Sequence, residues 1–435
     1  MIHLTLRVIL QIPRLTNTAQ KGGGMAIETP KGSLSDVGFG GILSSLFGGD
    51  AGKSPSHARM RPVKRRFGAY YLANLVPAIL LCVYGLLVVW SASLTIPEAS
   101  WPRQMLGVGI GFTGAAFIRR YDYRNLANMT NILLAIDIVL MLMPKVPGLS
   151  YSAKGLTGWV QIPFIHLRMQ PSEIAKLVTI SLMASLSAQY NGKIESLRDY
   201  VRLCIYLLIP FVLILTQPDL GTGLVILVSG AAIIICAGAR RSWVLVTIAL
   251  IIVGSAFIII TSMTPGLPHL LKEYQLNRLI VFVDPSVSPT GDGYNLLQSK
   301  IAVGSGGFFG KGIGNATQAG GGFLPEAHTD FVFALLSEEF GFVGAVILLT
   351  LFAVLIFSAI RLALKLESPF GKLVLVGIVA MWSFQLLENV GMCIGIMPIT
   401  GIPLPFISFG SSSMVVQLMS IGIVQSVYLH RTKVA

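Results

Sequence analysis

Charge is scarce in this chain. Only 12% of its 435 residues are Asp, Glu, Lys or Arg, where soluble globular chains carry about a quarter. A water-soluble domain so poor in charge could not cover its surface. With 54% apolar residues and a mean hydropathy of +0.75, a cytoplasmic globular enzyme and a disordered chain are both excluded. Cysteine is scarcer still. Cys82, Cys204, Cys236 and Cys393 all lie in apolar runs, with no CxxC and no ligand-like spacing. A secreted disulfide scaffold is therefore excluded, and the four read as small packing residues. Acidic residues are in deficit, 19 against 32 Lys+Arg, for a net charge of +13. In a soluble protein that excess points to nucleic acid. Here the cations flank apolar runs, as the positive-inside rule requires, and no nucleic-acid partner is expected.

What the chain does have is long apolar runs. From about residue 70, ten of them approach the roughly 17–25 residues that cross a bilayer: about 71–92, 104–118, 126–144, 173–190, 203–217, 219–238, 242–263, 336–360, 373–396 and 412–430. The expected fold is an all-α polytopic membrane protein of about ten transmembrane helices over residues 67–435. Residues 1–66 carry Gly, Ser, Pro and scattered charge without apolar periodicity, and read as a disordered cytoplasmic tail. Lys21-Gly22-Gly23-Gly24 before Met25 is codable by a purine-rich stretch like a bacterial ribosome-binding site, which makes Met25 a candidate start. N-terminal sequencing tests this, and a native chain beginning at Met1 would end it.

Loop charge sets the orientation. Arg119, Arg120 and Arg124, Arg240 and Arg241, and Arg361, Lys365 and Lys372 fall on the side of the tail. The short loops opposite carry only Arg103, Lys145, Lys154 and Arg168. Both termini are expected in the cytoplasm.

One external loop, about 264–335 between the seventh and eighth spans, is long enough to expect function. It opens with an amphipathic stretch, Leu270 to Ile280, suited to the membrane interface. A glycine-rich segment from Gly304 to Gly322 follows. Its amides suit either tight turns, the favoured reading, or a phosphate. The segment is not a P-loop, because Gly312 follows Lys311 where Ser or Thr is needed.

Ionisable groups at membrane depth are costly and therefore candidates for function. Asp137 lies mid-span and is expected to meet a cation on another helix. Glu173 and Lys176 share a helix face, directly after Gln170-Pro171-Ser172, a good helix start. Asp219 suits a helix N-terminus. Glu338 and Glu339 either face water or pair with Lys311. The sharpest cluster is Leu324-Pro325-Glu326-Ala327-His328-Thr329-Asp330-Phe331, where the chain re-enters the bilayer. A carboxylate there, partly desolvated, suits a general base or a helix N-cap. A metal site from Glu326, His328 and Asp330 is the weaker reading. Between the last two spans, Pro398 to Ser413 holds no charge and three prolines. Irregular backbone of that kind is tolerated when buried or lining a cavity, and could floor a site for a lipid-linked substrate.

Together these stretches resemble one family, the shape, elongation, division and sporulation (SEDS) proteins RodA, FtsW and SpoVE. The matching segments are Gln170-Pro171-Ser172-Glu173 with Lys176, Gln217-Pro218-Asp219-Leu220-Gly221-Thr222, Asp292-Gly293-Tyr294-Asn295 through Gln298-Ser299, Leu324 to Phe331, and Gly401-Ile402-Pro403-Leu404-Pro405-Phe406. The resemblance implies a bacterial inner-membrane peptidoglycan glycosyltransferase. It would polymerise lipid II on the external face beside a class B penicillin-binding protein, with Asp330 essential and Glu173 and Lys176 in the site. Ser408-Phe409-Gly410-Ser411 departs from the family's usual Ser-Tyr-Gly-Gly. Glu388-Asn389-Val390-Gly391-Met392 and Phe308-Phe309-Gly310-Lys311-Gly312 look more like the elongation branch than the division branch.

The expected mechanism has Asp330 remove the proton of the acceptor sugar 4-hydroxyl, which displaces undecaprenyl diphosphate from the growing strand. Lys176, Lys311 or Arg278, with Mg2+ or another divalent cation, would offset the leaving group's charge; no organic cofactor is needed. His328, Ser408 and Ser412 join the substrate-binding candidates. Gln170, Pro171, Asp219, Glu326, Pro403 and Pro405 shape the site. The rivals are a flippase for the lipid-linked precursor and a non-enzymatic scaffold.

Overall fold

The computed structural model describes residues 70–153, 156–161, 168–217, 219–264 and 271–431. The expected tail falls outside them. Each of the ten apolar runs forms a helix: α1 (Leu72–Thr95), α2 (Trp101–Arg120), α3 (Thr130–Leu142), α4 (Pro171–Ala188), α5 (Leu197–Leu215), α6 (Leu220–Cys236), α7 (Arg241–Met263), α11 (Val332–Leu364), α12 (Pro369–Ile394) and α13 (Ser411–His430). Of these, α1, α7, α11, α12 and α13 are each long and apolar enough to cross a membrane alone. The long loop carries α8 (Glu273–Val283), α9 (Asp292–Ser305) and the short α10 (Thr317–Gly320).

Helix ends follow local chemistry. Pro171 opens α4, where its missing N–H costs nothing. Ser196 and Ser368 cap α5 and α12 by accepting backbone N–H groups. Gly395 closes α12 in the left-handed conformation that glycine adopts without strain. The α3 helix is shorter than the apolar run around it, because 3-10 turns at Tyr123–Asn128 and Met143–Lys145 take up its ends.

Burial separates inner from outer helices. Nearly every side chain of α4 is buried, which explains its tolerance of Ser, Thr, Glu and Lys. By contrast, α7 buries only Thr261 and Ser262, as a lipid-facing helix should. Polar ties replace the hydrophobic effect between spans: Trp382 Nε1 donates to Gln417 at 3.1 Å, and Gln417 donates to Gln385 at 3.0 Å. Gly107 and Gly111 of α2 let it close on α13, where a Cβ would meet Ser411 and Leu418. A three-stranded antiparallel sheet, β1 (Ser150–Ala153), β2 (Leu156–Gln161) and β3 (Arg168–Met169), fills the connection into α4. No period-2 pattern in the sequence announced it.

Asp137 corrects an expectation. Its partner is not a cation but the Thr179 hydroxyl of α4, which donates at 2.8 Å.

Candidate active site

The five sequence motifs come together at one end of the bundle, around Asp330. At the α4 corner, Lys176 Nζ donates to Glu173 Oε1 at 2.8 Å, with both side chains buried. A buried ammonium needs such a partner. Gln170, one residue before α4, donates to Asp219 Oδ2 at 3.0 Å and so ties the corner to the start of α6. Asp219 accepts the Thr222 N–H at 3.0 Å, an N-cap. Gly221, on the first turn of α6, lies so close to the Pro-rich loop that a Cβ would meet Ile402 and the Thr400 carbonyl.

The Pro-rich loop is pinned by side chains. Asn389 of α12 donates to the Ile402 and Asp330 carbonyls, each at 2.8 Å. Ser408 accepts the Leu404 N–H at 2.8 Å and donates to the Thr329 carbonyl at 2.7 Å. Gln104 of α2 donates to the Ser408 carbonyl and accepts the Gly410 N–H, at 3.1 and 3.0 Å. Pro403 and Pro405 sit between these pins, and Phe406 is held at a φ of 64°. Left-handed backbone is costly for a non-glycine residue, so it marks a conformation fixed by its surroundings. Phe409 donates its N–H to the His328 carbonyl at 2.8 Å, and its ring lies 5.5 Å from the His328 imidazole. Ser411 opens α13 in helical conformation, and its hydroxyl donates to the Arg103 carbonyl at 3.0 Å. Ser412 follows in the same turn.

Asp330 is half-buried, two residues before the start of α11. It is held by a tight turn at Glu326, itself at a φ of 56°, whose carbonyl accepts the N–H groups of Thr329, Asp330 and Phe331 at 3.1 Å. A Cβ on Gly401 would lie 3.2 Å from Asp330 Oδ2, so the missing side chain leaves the carboxylate its space. Arg278 of α8 donates to the Thr400 carbonyl at 3.3 Å and lies 3.7 Å from Asp292, with 36% of its side chain exposed. The metal reading of Glu326, His328 and Asp330 is not supported: among the described residues no three His, Cys, Asp or Glu side chains are grouped to hold an ion.

The glycine-rich segment does different work. Its amides go to the protein's own carboxylate. Glu338 accepts from the Thr317 and Gln318 N–H groups at 2.9 and 3.0 Å, from the Thr317 hydroxyl at 2.9 Å and from Lys311 Nζ at 2.6 Å. Glu339 accepts from Ser91 and from the Gly314 N–H. The α11 helix kinks at Gly341, φ 64°, where the Gly307 and Phe308 carbonyls take the Phe342 and Val343 N–H groups at 2.9 and 3.1 Å. Lys311 is thus matched within the protein.

Two of these residues escaped the sequence reading. Gln104 stands in the sequence as the uncharged polar side chain that opens the second apolar run. Asn389 was visible beside Glu388, but nothing local announced its reach to Asp330.

Known proteins resemble this chain over most of its length. The FtsW/RodA/SpoVE family model, described as cell cycle proteins, matches residues 72–433. Stage V sporulation protein E of Bacillus subtilis is 34% identical over 365 residues, covering 82% of this chain and 96% of the relative. Peptidoglycan glycosyltransferase MrdB of Escherichia coli is 35% identical over 351 residues, covering 81% and 91%. Among solved structures, a chain of a peptidoglycan synthase complex that coordinates polymerization and crosslinking superposes with a TM-score of 0.69 at 27% identity, covering 83% of this chain and 98% of that one. RodA of Thermus thermophilus does so with a TM-score of 0.59 at 26% identity, covering 84% and 99%. This chain, a helical multi-pass membrane protein, belongs to the FtsW/RodA/SpoVE family.

Proposed function

We propose that the chain is a peptidoglycan glycosyltransferase that polymerises lipid II on the external face of a bacterial inner membrane, with both termini cytoplasmic. The activity is that named for its relatives. The observation that carries the assignment to this end of the molecule is the Asp330 carboxylate, half-buried and facing Gly401, where all five motifs converge.

Asp330 takes the proton of the acceptor lipid II 4-hydroxyl as that oxygen attacks the anomeric carbon of the growing strand. The C–O bond to undecaprenyl diphosphate breaks, and the leaving group departs already anionic, so it needs charge compensation more than protonation. Arg278, partly exposed beside Thr400 and Asp292, is a cation that could supply it. Lys176, paired with Glu173, holds the α4 corner and adds positive charge near Asp219. Ser412 borders the sugar side, while His328 and Ser408, both buried, support the wall behind it. Among the described residues no three metal-ligating side chains are grouped, so Mg2+ or another divalent cation would be held chiefly by the substrate's own diphosphate and would supply charge compensation for the leaving group. An open apolar groove of about 780 Å3 along α2, lined by Met105, Leu106, Gly109 and Ile110, suits an isoprenoid tail. The neighbour from a complex that couples polymerization to crosslinking supports a class B penicillin-binding protein as partner. The stretches Glu388 to Met392 and Phe308 to Gly312 favour the elongation branch.

The test is polymerisation of labelled lipid II by the purified protein with its transpeptidase partner. Glycan ladders from wild type and none from Asp330→Asn are expected. Near-normal turnover by the variant would remove Asp330 from the role.

A further inference from the structure

We propose that Glu388 is a positioning residue for the transfer: through Thr400 it holds the Thr400–Gly401–Ile402 turn against the Asp330 carboxylate. The inference rests on the reading of Asp330 as the base. Glu388 lies on α12 and is 2% exposed. One carboxylate oxygen accepts the Thr400 hydroxyl. The other has no hydrogen-bond partner among the described residues. A carboxylate buried with so few partners is costly to keep, where an apolar side chain would pack the helix at no such cost.

What the bond secures is a turn that no regular structure supports. Gly401 has a φ of 75°, and Thr400 to Ile402 belongs to no helix or strand. Each of its three residues is nevertheless fixed. Thr400 is held by Glu388 from one side and by Arg278 at its carbonyl from the other. Ile402 is held at its carbonyl by Asn389, whose amide also holds the Asp330 carbonyl. Between them, Gly401 faces Asp330 Oδ2. Neighbouring residues of α12 thus grip the base's backbone and the surface its carboxylate rests against. The charges facing Glu388 are Arg278 from α8 and Asp330 from its loop. A misplacement of about 1 Å at a reacting group costs on the order of 10²-fold, so loosening this turn should appear in turnover.

The test uses the full chain with its penicillin-binding partner and labelled lipid II, measuring lipid II binding and turnover separately. Glu388→Ala and Thr400→Val should each lower turnover about 10–100-fold with binding retained. Glu388→Gln and Thr400→Ser, which keep the hydrogen bond, should recover most of it. The Ala/Val double variant should be no worse than either single variant. Wild-type turnover by Glu388→Ala, loss in Glu388→Gln as deep as in Glu388→Ala, or losses that multiply in the double variant would each overturn the proposal. The Thr400 pair, on a loop, keeps the test alive if Glu388→Ala fails to fold. Asp330→Asn in the same series separates the two readings. An active Asp330→Asn overturns the base itself, whereas an inactive one beside an indifferent Glu388 and Thr400 series overturns only the positioning role.

Discussion

The glycine-rich segment and the proline-rich loop are both irregular backbone set against helix ends, yet they treat a carboxylate in opposite ways. Around Glu338 the segment closes completely, with two amides, a hydroxyl and the Lys311 ammonium on one buried carboxylate. Its glycines allow that closeness: a Cβ on Gly306 or Gly310 would collide with the Ser337 or Glu339 carbonyl. The proline-rich loop, by contrast, is pinned by Asn389, Gln104 and Ser408, and it presents Gly401, which has no side chain, to Asp330. A carboxylate saturated with donors is stabilised as the anion and is a poor base. A base needs its oxygens within reach of substrate. The comparison teaches that the long loop's glycine-rich part builds a frame around Glu338, whereas the proposed mechanism assigns the chemistry to its last turn.

The contrast can be broken in order of expected effect. Asp330→Asn should lower lipid II polymerisation by about 10²–10⁴-fold, with a melting temperature close to wild type. Glu338→Gln should do the reverse. It deprives Lys311 of its counter-charge and should cost about 2–3 kcal/mol in unfolding, with faster hydrogen exchange over residues 305–319 and turnover per folded molecule largely kept. Gly85→Ala probes the other region, because a Cβ there would collide with the Phe406 carbonyl. A cost of about 1–3 kcal/mol, with reduced turnover, is expected from thermal unfolding and the ladder assay together. Ser408→Ala, which removes the link between Leu404 and Thr329, should cost about 1 kcal/mol.

The helices were legible because a bilayer demands apolar length, and each of the ten apolar runs gave a helix, although only α1, α7, α11, α12 and α13 are long and apolar enough to cross alone. Helix ends were less so. The sequence pattern places the eighth span at about 336–360, whereas the helix begins at Val332, and its kink at Gly341 belongs to a backbone insertion from Gly307 and Phe308, a contact between distant segments. The Asp330 cluster was legible as charge meeting an apolar run. The amide cage around Glu338 was half-legible: glycines announced close backbone approach but not what would be approached. Asn389 and the Thr179 partner of Asp137 were not legible, since both depend on which helix faces lie together.

The most direct measurement compares Asp330→Asn with Glu338→Gln in one experiment, reading glycan ladders from labelled lipid II beside thermal unfolding of each purified protein. The account predicts a stable, inactive Asp330→Asn and a less stable Glu338→Gln that polymerises per folded molecule much as wild type does. Ladders of near-wild-type yield from Asp330→Asn, or a stable Glu338→Gln that makes none, would contradict it.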